Sequence, residues 1–66
     1  MTILLNGKEQ SLDTTMTVIE FLTSIGLGEK PVVVELNQQA LFPREYTEHT
    51  LTDGDKLEII TIAAGG

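Results

Sequence analysis

Only one stretch of this chain, "MTVIEFLTSIGLG" at residues 16–28, has helical spacing, and both of its ends are specified. Thr17 and Glu20 spell a capping box, in which the Thr hydroxyl accepts from the third helical N–H and Glu20 reaches back to the Thr17 N–H. Met16 and Phe21 stand at the positions of a hydrophobic staple. Gly26 suits the left-handed position just past the end, and Leu27 is placed to fold back onto Leu22. Val18, Phe21, Leu22 and Ile25 form the apolar stripe, so a helix of about two turns is expected over Val18–Ile25. A single helix covers at most one face of a sheet. With every other apolar stretch reading as strand, the chain is confined to a two-layer α+β design.

The strands follow from local signals. In "TILLNGKEQSL", Asn6-Gly7 marks a two-residue hairpin turn, because a type I′ turn needs positive φ at both positions. That loop sets Leu5 opposite Lys8, Ile3 opposite Gln10 and Met1 opposite Leu12. Met1, Ile3, Leu5 and Leu12 then share the core face. Pro31 ends any helical continuation, and "VVVELN" is β-branched with Glu35 and Asn37 on its polar side. "NQQALF" reads as a turn and a short strand, and "PREYTEHTL" as irregular with one 3₁₀ turn after Pro43. "TDGD" is a turn. "KLEIITI" is the last strand, with Leu57 and Ile59 toward the helix and Ile60 and Ile62 on the opposite face. A mixed sheet of four to five strands is expected, with the helix across one face. If the first and last strands pair in parallel, the intervening helix and strands supply the long crossover that such pairing requires. That arrangement is the β-grasp, or ubiquitin-like, fold.

Stability has to come from this aliphatic core. A domain of 66 residues gains only roughly 3–5 kcal/mol from its core, and this chain has no cysteine to add disulfides or thiolate–metal sites. Ten acidic residues against four basic ones give a net charge of −6. Lys8, Lys30, Arg44 and Lys56 are scattered, which argues against nucleic-acid binding. The acidity suits either solubility or steering toward a basic docking face. No apolar run approaches a membrane span. The start "MTILLNGKEQ" lacks a basic segment ahead of an apolar one, so no signal peptide is expected and the cytoplasm is the expected compartment.

Asp53 and Asp55 flank Gly54 and read as turn residues rather than as an acid/base or metal pair. Arg44 and Glu45 read as an ordinary solvated pair, and His49 as exposed and inert. Ile60 and Ile62, with Phe42 and Val33 as weaker members, form a candidate partner-binding patch. Isolated surface hydrophobes that need no explanation are the plainer reading.

After the last strand come Ala63, Ala64, Gly65 and Gly66. Glycines there add nothing to folding stability. They fit either a frayed terminus or a working group that must enter a narrow site. The domain is assigned to residues 1–62 and a flexible Gly-Gly tail to 63–66. Fully extended, four residues reach about 13 Å.

With this element order, the "ELNQQALFPRE" segment, the "LTDGD" turn and the closing "AAGG", the chain resembles the ubiquitin-like sulfur carriers. Within them it is similar to the family of the thiamine-biosynthesis sulfur carrier, over essentially its whole length. The resemblance implies that a ubiquitin-activating-like adenylyltransferase uses ATP to adenylate the Gly66 carboxylate. Sulfur from a donor enzyme then gives a terminal thiocarboxylate, and thiazole synthase takes that sulfur for the thiazole ring of thiamine. The chain itself is implied to be a carrier, not an enzyme, with no bound cofactor or metal and monomeric when free. Gly66 is then the charged residue, and Ala63, Ala64 and Gly65 form the reactive tail. A small subunit of molybdopterin synthase and a ubiquitin-like protein modifier share the fold and the Gly-Gly ending, and an interaction module without tail chemistry shares the fold.

Overall fold

The computed structural model describes residues 1–62. The expected tail, Ala63 to Gly66, lies outside the described residues. Strands β1 (Thr2–Leu5) and β2 (Lys8–Ser11) precede helix α1 (Val18–Ser24). Strands β3 (Val32–Leu36) and β4 (Gln39–Leu41), a 3₁₀ turn at Pro43–Glu45 and strand β5 (Lys56–Thr61) follow. The five strands form one sheet in the order β2-β1-β5-β3-β4. All pairings are antiparallel except β1 with β5, which is parallel. The first and last strands therefore lie side by side, as the expected fold requires.

The hairpin register is the expected one, with Leu5 opposite Lys8 and Ile3 opposite Gln10. Asn6 and Gly7 both have positive φ, at 50° and 84°. Ile3 and Leu12 are buried, while Met1 and Leu5 pack against the core from its rim. The second hairpin, between β3 and β4, turns on Asn37 and Gln38, again with both φ positive.

The helix is capped as its sequence predicts. The Thr17 Oγ1 accepts from Glu20 N at 3.2 Å, and Glu20 Oε1 accepts from Thr17 N at 2.8 Å. The first two helical N–H groups also find acceptors: Val18 N donates to His49 O and Ile19 N to Tyr46 O. The "PREYTEHTL" segment, irregular in itself, thus serves as a backbone cap on the helix start. At the other end Leu27 N donates to Leu22 O at 2.7 Å and Gly26 N to Thr23 O at 3.1 Å. These two bonds are the pair that define a Schellman stop. Gly26 takes the left-handed conformation there, with φ 84°. The helix closes at Ser24 with Ile25 as its cap, one residue short of the expected end, because Ile25 has already left helical geometry. Two residues on, the chain folds back so closely that a Cβ on Gly28 would lie 2.6 Å from Thr23 Oγ1 and 3.2 Å from Thr23 Cα.

The core lies between the helix and one sheet face. Val18, Phe21 and Leu22 of the helix meet Ile3, Val34, Leu36, Leu57 and Ile59 of the sheet. Leu51 and Tyr46 fill it from the irregular segment. Burying one such aliphatic or aromatic side chain stabilises by about 1.5–3 kcal/mol, so a chain this short depends on nearly every member. Among the described residues no helix is long and apolar enough to cross a membrane.

Thr17→Ala is expected to lower stability by about 1 kcal/mol through loss of the cap, read from the midpoint of urea unfolding; an unchanged midpoint would show the backbone cap alone suffices. Burial pushes the Tyr46 phenol above its ordinary value of 10.0. A raised folded-state pKa means stability is held below pH 10 and lost as pH climbs past it toward the folded value. Tyr46→Phe is therefore expected to lose less stability than the parent chain above that pH, measured by unfolding at stepped pH.

Candidate functional site

Strand β5 leads directly into the chain's last residues, and it lies in the interior of the sheet rather than at an edge. On one side β3 pairs with it along its length, from Leu36–Leu57 to Val32–Thr61. Beyond the strand, Ile62 N still donates to Pro31 O at 3.0 Å. On the other side β1 accompanies only its first part, with Leu4 beside Lys56 and Leu5 beside Leu57. There β1 turns away at Asn6, and the Asn6 side chain takes over. Its Oδ1 accepts from Ile59 N at 2.8 Å and its Nδ2 donates to Ile59 O at 3.2 Å. A carboxamide offers one acceptor and two donors, so it stands in for the next peptide group of β1.

A second asparagine holds the start of β5. Asn37 Oδ1 accepts from Lys56 N at 2.9 Å, and Asn37 Nδ2 donates to Asp55 Oδ1 at 3.0 Å. Asp55 Oδ2 in turn accepts from Thr52 N, and Asp53 Oδ1 from Thr2 N, both at 2.8 Å. Both aspartates sit in the turn as the sequence indicates, Asp55 as an acceptor within it and Asp53 as a tie from it to the start of β1. The Asn-Gly pair carries a clear turn signal, but nothing local in the sequence announces that either asparagine grips β5.

Among the described residues, no element covers the sheet face away from the helix. Alternation along β5 buries Leu57 and Ile59 and leaves Ile60 63% exposed. Val33, 42% exposed, stands directly opposite Ile60. Phe42, 62% exposed, follows directly after the Val34–Leu41 pair that ends β4, the next position toward Val33 in that register. Val33 on β3 and Ile60 on β5, with Phe42 just past the end of β4, thus form an apolar row. Ile62, 50% exposed, does not join that row as the sequence suggests, because β5 ends at Thr61 and its alternation no longer sets the side chain. It lies past the end of β5 and lines a groove with Ile19, Pro31, Val32 and Tyr46.

Charge borders the row. Glu35 and Glu58 occupy directly opposed positions on β3 and β5, next to Val33 and Ile60. At the other end the Arg44 guanidinium lies 5.1 Å from the Phe42 ring centroid. Arg44 and Glu45 are not the solvated pair expected from sequence. Glu45 Oε1 instead accepts from Phe42 N at 2.8 Å, and its Oε2 lies 3.8 Å from His49 Nε2. His49 is half-buried rather than exposed, because its carbonyl caps the helix and anchors its backbone there. Among the described residues no group of His, Cys, Asp or Glu is arranged to hold a metal ion.

The family model described as the ThiS family matches residues 3–66. The chain belongs to the ThiS family. It is 36% identical over 62 residues to a protein named sulfur carrier protein ThiS from Thermus thermophilus, covering 94% of this chain and 95% of that one. A protein named thiazole synthase from Paramagnetospirillum magneticum is 35% identical over 66 residues. All of this chain matches there, yet it spans only 20% of that longer relative. The crystal structure of the thiamine biosynthesis protein ThiS from Geobacter metallireducens superposes with a TM-score of 0.85 at 30% identity, covering 100% of both chains. Fold and family thus agree: this is a β-grasp member of the thiamine sulfur carriers.

Like charges directly opposed on a sheet destabilise it. Glu35→Gln is accordingly expected to raise stability by roughly 0.2–1 kcal/mol at low ionic strength, with the gain shrinking in high salt. Parallel urea titrations at two salt concentrations check this, and a loss of stability would show that Glu35 serves the fold.

Proposed function

We propose that this chain carries sulfur on its terminal carboxyl group for assembly of the thiazole ring of thiamine. The observation that carries the reading is the family match, which runs from residue 3 through the Gly-Gly ending at 66. A free carboxylate is a poor acyl donor because its oxygen is a poor leaving group. In the proposed cycle a ubiquitin-activating-like adenylyltransferase brings Gly66 and ATP together. The carboxylate oxygen attacks the α-phosphorus, pyrophosphate leaves, and an acyl-adenylate forms. Sulfide, released as HS⁻ by a donor enzyme, attacks the acyl carbon and AMP departs, leaving a thiocarboxylate. Thiazole synthase then accepts the sulfur.

The chain's own contribution is presentation. Gly65 and Gly66 carry no Cβ, so backbone can approach a nucleotide and an attacking sulfur closely. Ala63 and Ala64 add little bulk. The partners supply the acids, bases and ATP site. The row of Phe42, Val33 and Ile60 serves as the docking face, with Ile62 at the root of the tail. Exposed apolar residues rimmed by charge suit such a contact, and Glu35 and Glu58 give it an acidic border for a basic partner surface. The full-length match within a protein named thiazole synthase supports that enzyme as a partner.

Incubation with the activating enzyme, ATP and a sulfur donor, followed by intact-mass measurement, is expected to show one oxygen of the chain exchanged for sulfur. Slow-migrating lysine conjugates would indicate a protein modifier instead, and an unchanged chain would overturn the carrier reading. Ile60→Asp is expected to leave the unfolding midpoint near that of the parent and to slow charging by about 10- to 100-fold, the effect of losing a central apolar anchor. Undiminished charging of the folded variant would remove the row from the docking face.

A further inference from the structure

The hairpin turn that releases β1 also places a reactive pair of groups at the strand it supports. The Asn6 carboxamide holds both backbone groups of Ile59, at 2.8 and 3.2 Å. The Asn6 backbone N–H donates to Leu57 O at 2.9 Å. Among the described residues β5 has no further strand on the β1 side past this point, and the carboxamide holds that edge at Ile59. The same carboxamide carbon is an electrophile, and the next residue supplies a nucleophile. Gly7 has no side chain to crowd its nitrogen, is exposed, and has open space where a Cβ would stand.

We propose that Asn6-Gly7 is a site of spontaneous modification, gated by the grip of Asn6 on Ile59, and that its conversion loosens the tail-bearing end of β5. In the reaction the Gly7 amide nitrogen gives up its proton and bonds to Asn6 Cγ. The Cγ–Nδ2 bond breaks and ammonia departs with the proton, leaving a succinimide ring. Water adds to one of the two ring carbonyls and opens it to aspartate or isoaspartate. Water is the only co-reactant, and no electrons change hands.

Neither product rebuilds the grip. An aspartate carboxylate has no N–H for the Ile59 carbonyl and sets a negative oxygen against it. Isoaspartate also lengthens the backbone by one carbon inside a two-residue turn. The folded chain restrains the reaction, because the carboxamide is fixed toward β5 while Gly7 is fixed in the turn at φ 84°. Attack therefore proceeds through openings in which Asn6 lets go of Ile59, and its rate follows the population of those openings. Asn37 is an internal comparison. It holds Lys56 and Asp55 by the same side-chain groups, but the residue after it is Gln38, whose side chain hinders attack by its own nitrogen.

The full chain is aged in mildly alkaline buffer, folded and in denaturant, with conversion located by peptide mass spectrometry. Amide exchange at Ile59 is read in parallel in Asn6→Gly, which keeps a turn-forming residue and removes the grip. Conversion is expected mainly at Asn6, about five-fold or more slower in the folded chain than in denaturant. Exchange at Ile59 is expected to be roughly ten-fold faster in Asn6→Gly, with Val34 little changed. Equal rates in folded and denatured chains, conversion at Asn37 as fast as at Asn6, or unchanged exchange at Ile59 would each overturn the proposal. None of these readouts involves sulfur, so the result stands apart from that of the carrier reading.

Discussion

Leu4 N donates to Asp55 O and Asn6 N to Leu57 O, and these bonds join the two ends of the chain in parallel. Parallel strands cannot be joined by a tight turn, so the rest of the molecule lies within the connection between them. The entropy of closing so long a connection is recovered only through the core the crossover builds. Ile3 from β1 and Leu57 from β5 are both fully buried under Val18, Phe21 and Leu22 of the helix. Capping at both helix ends matters for the same reason: a helix of 7 residues is too short to persist without its tertiary contacts.

This pairing decides where the last residues emerge. With β1 and β3 on either side, β5 is an interior strand, which opens less readily than an edge strand. Its last residues, past the end of β1, keep β3 on one side and the Asn6 carboxamide at Ile59 on the other. The two asparagines complete the attachment where neighbouring backbone runs out, Asn37 at the start of β5 and Asn6 near its end. Since the lone helix covers one face, the other is left for Phe42, Val33 and Ile60. Fold, family and open face together agree with the proposed role of presenting a group to a partner.

Much of this was legible in the sequence, for a common reason. The capping box, Gly26, Asn6-Gly7 and the alternation in "KLEIITI" are local signals, and each specifies structure within a few residues of itself. Element order, hairpin register and the exposure of Ile60 follow from them. The features that were not legible depend on distant partners. Asn6 and Ile59 are 53 residues apart in sequence, and the turn reading already gave Asn6 a sufficient role. Leu51 and Tyr46 sit in a segment without periodicity, so their burial is dictated by the helix start and the sheet they fill against. His49 and Glu45 looked like solvated charges, yet their backbone and side-chain acceptors shape the cap and the 3₁₀ turn. The Asn37-Gln38 turn is read within "NQQALF", although glutamine is an uncommon choice at its φ of 71°.

The central claim is that a stable sheet exists to hold out a carboxyl group for another enzyme to charge. Removal of Gly66 alone tests it most directly, through exchange of labelled pyrophosphate into ATP by the activating enzyme. The shortened chain is predicted to unfold at the same denaturant concentration as the parent while supporting no exchange. Exchange at the parental rate would show that the terminal glycine is not the group being activated, and the account would fail.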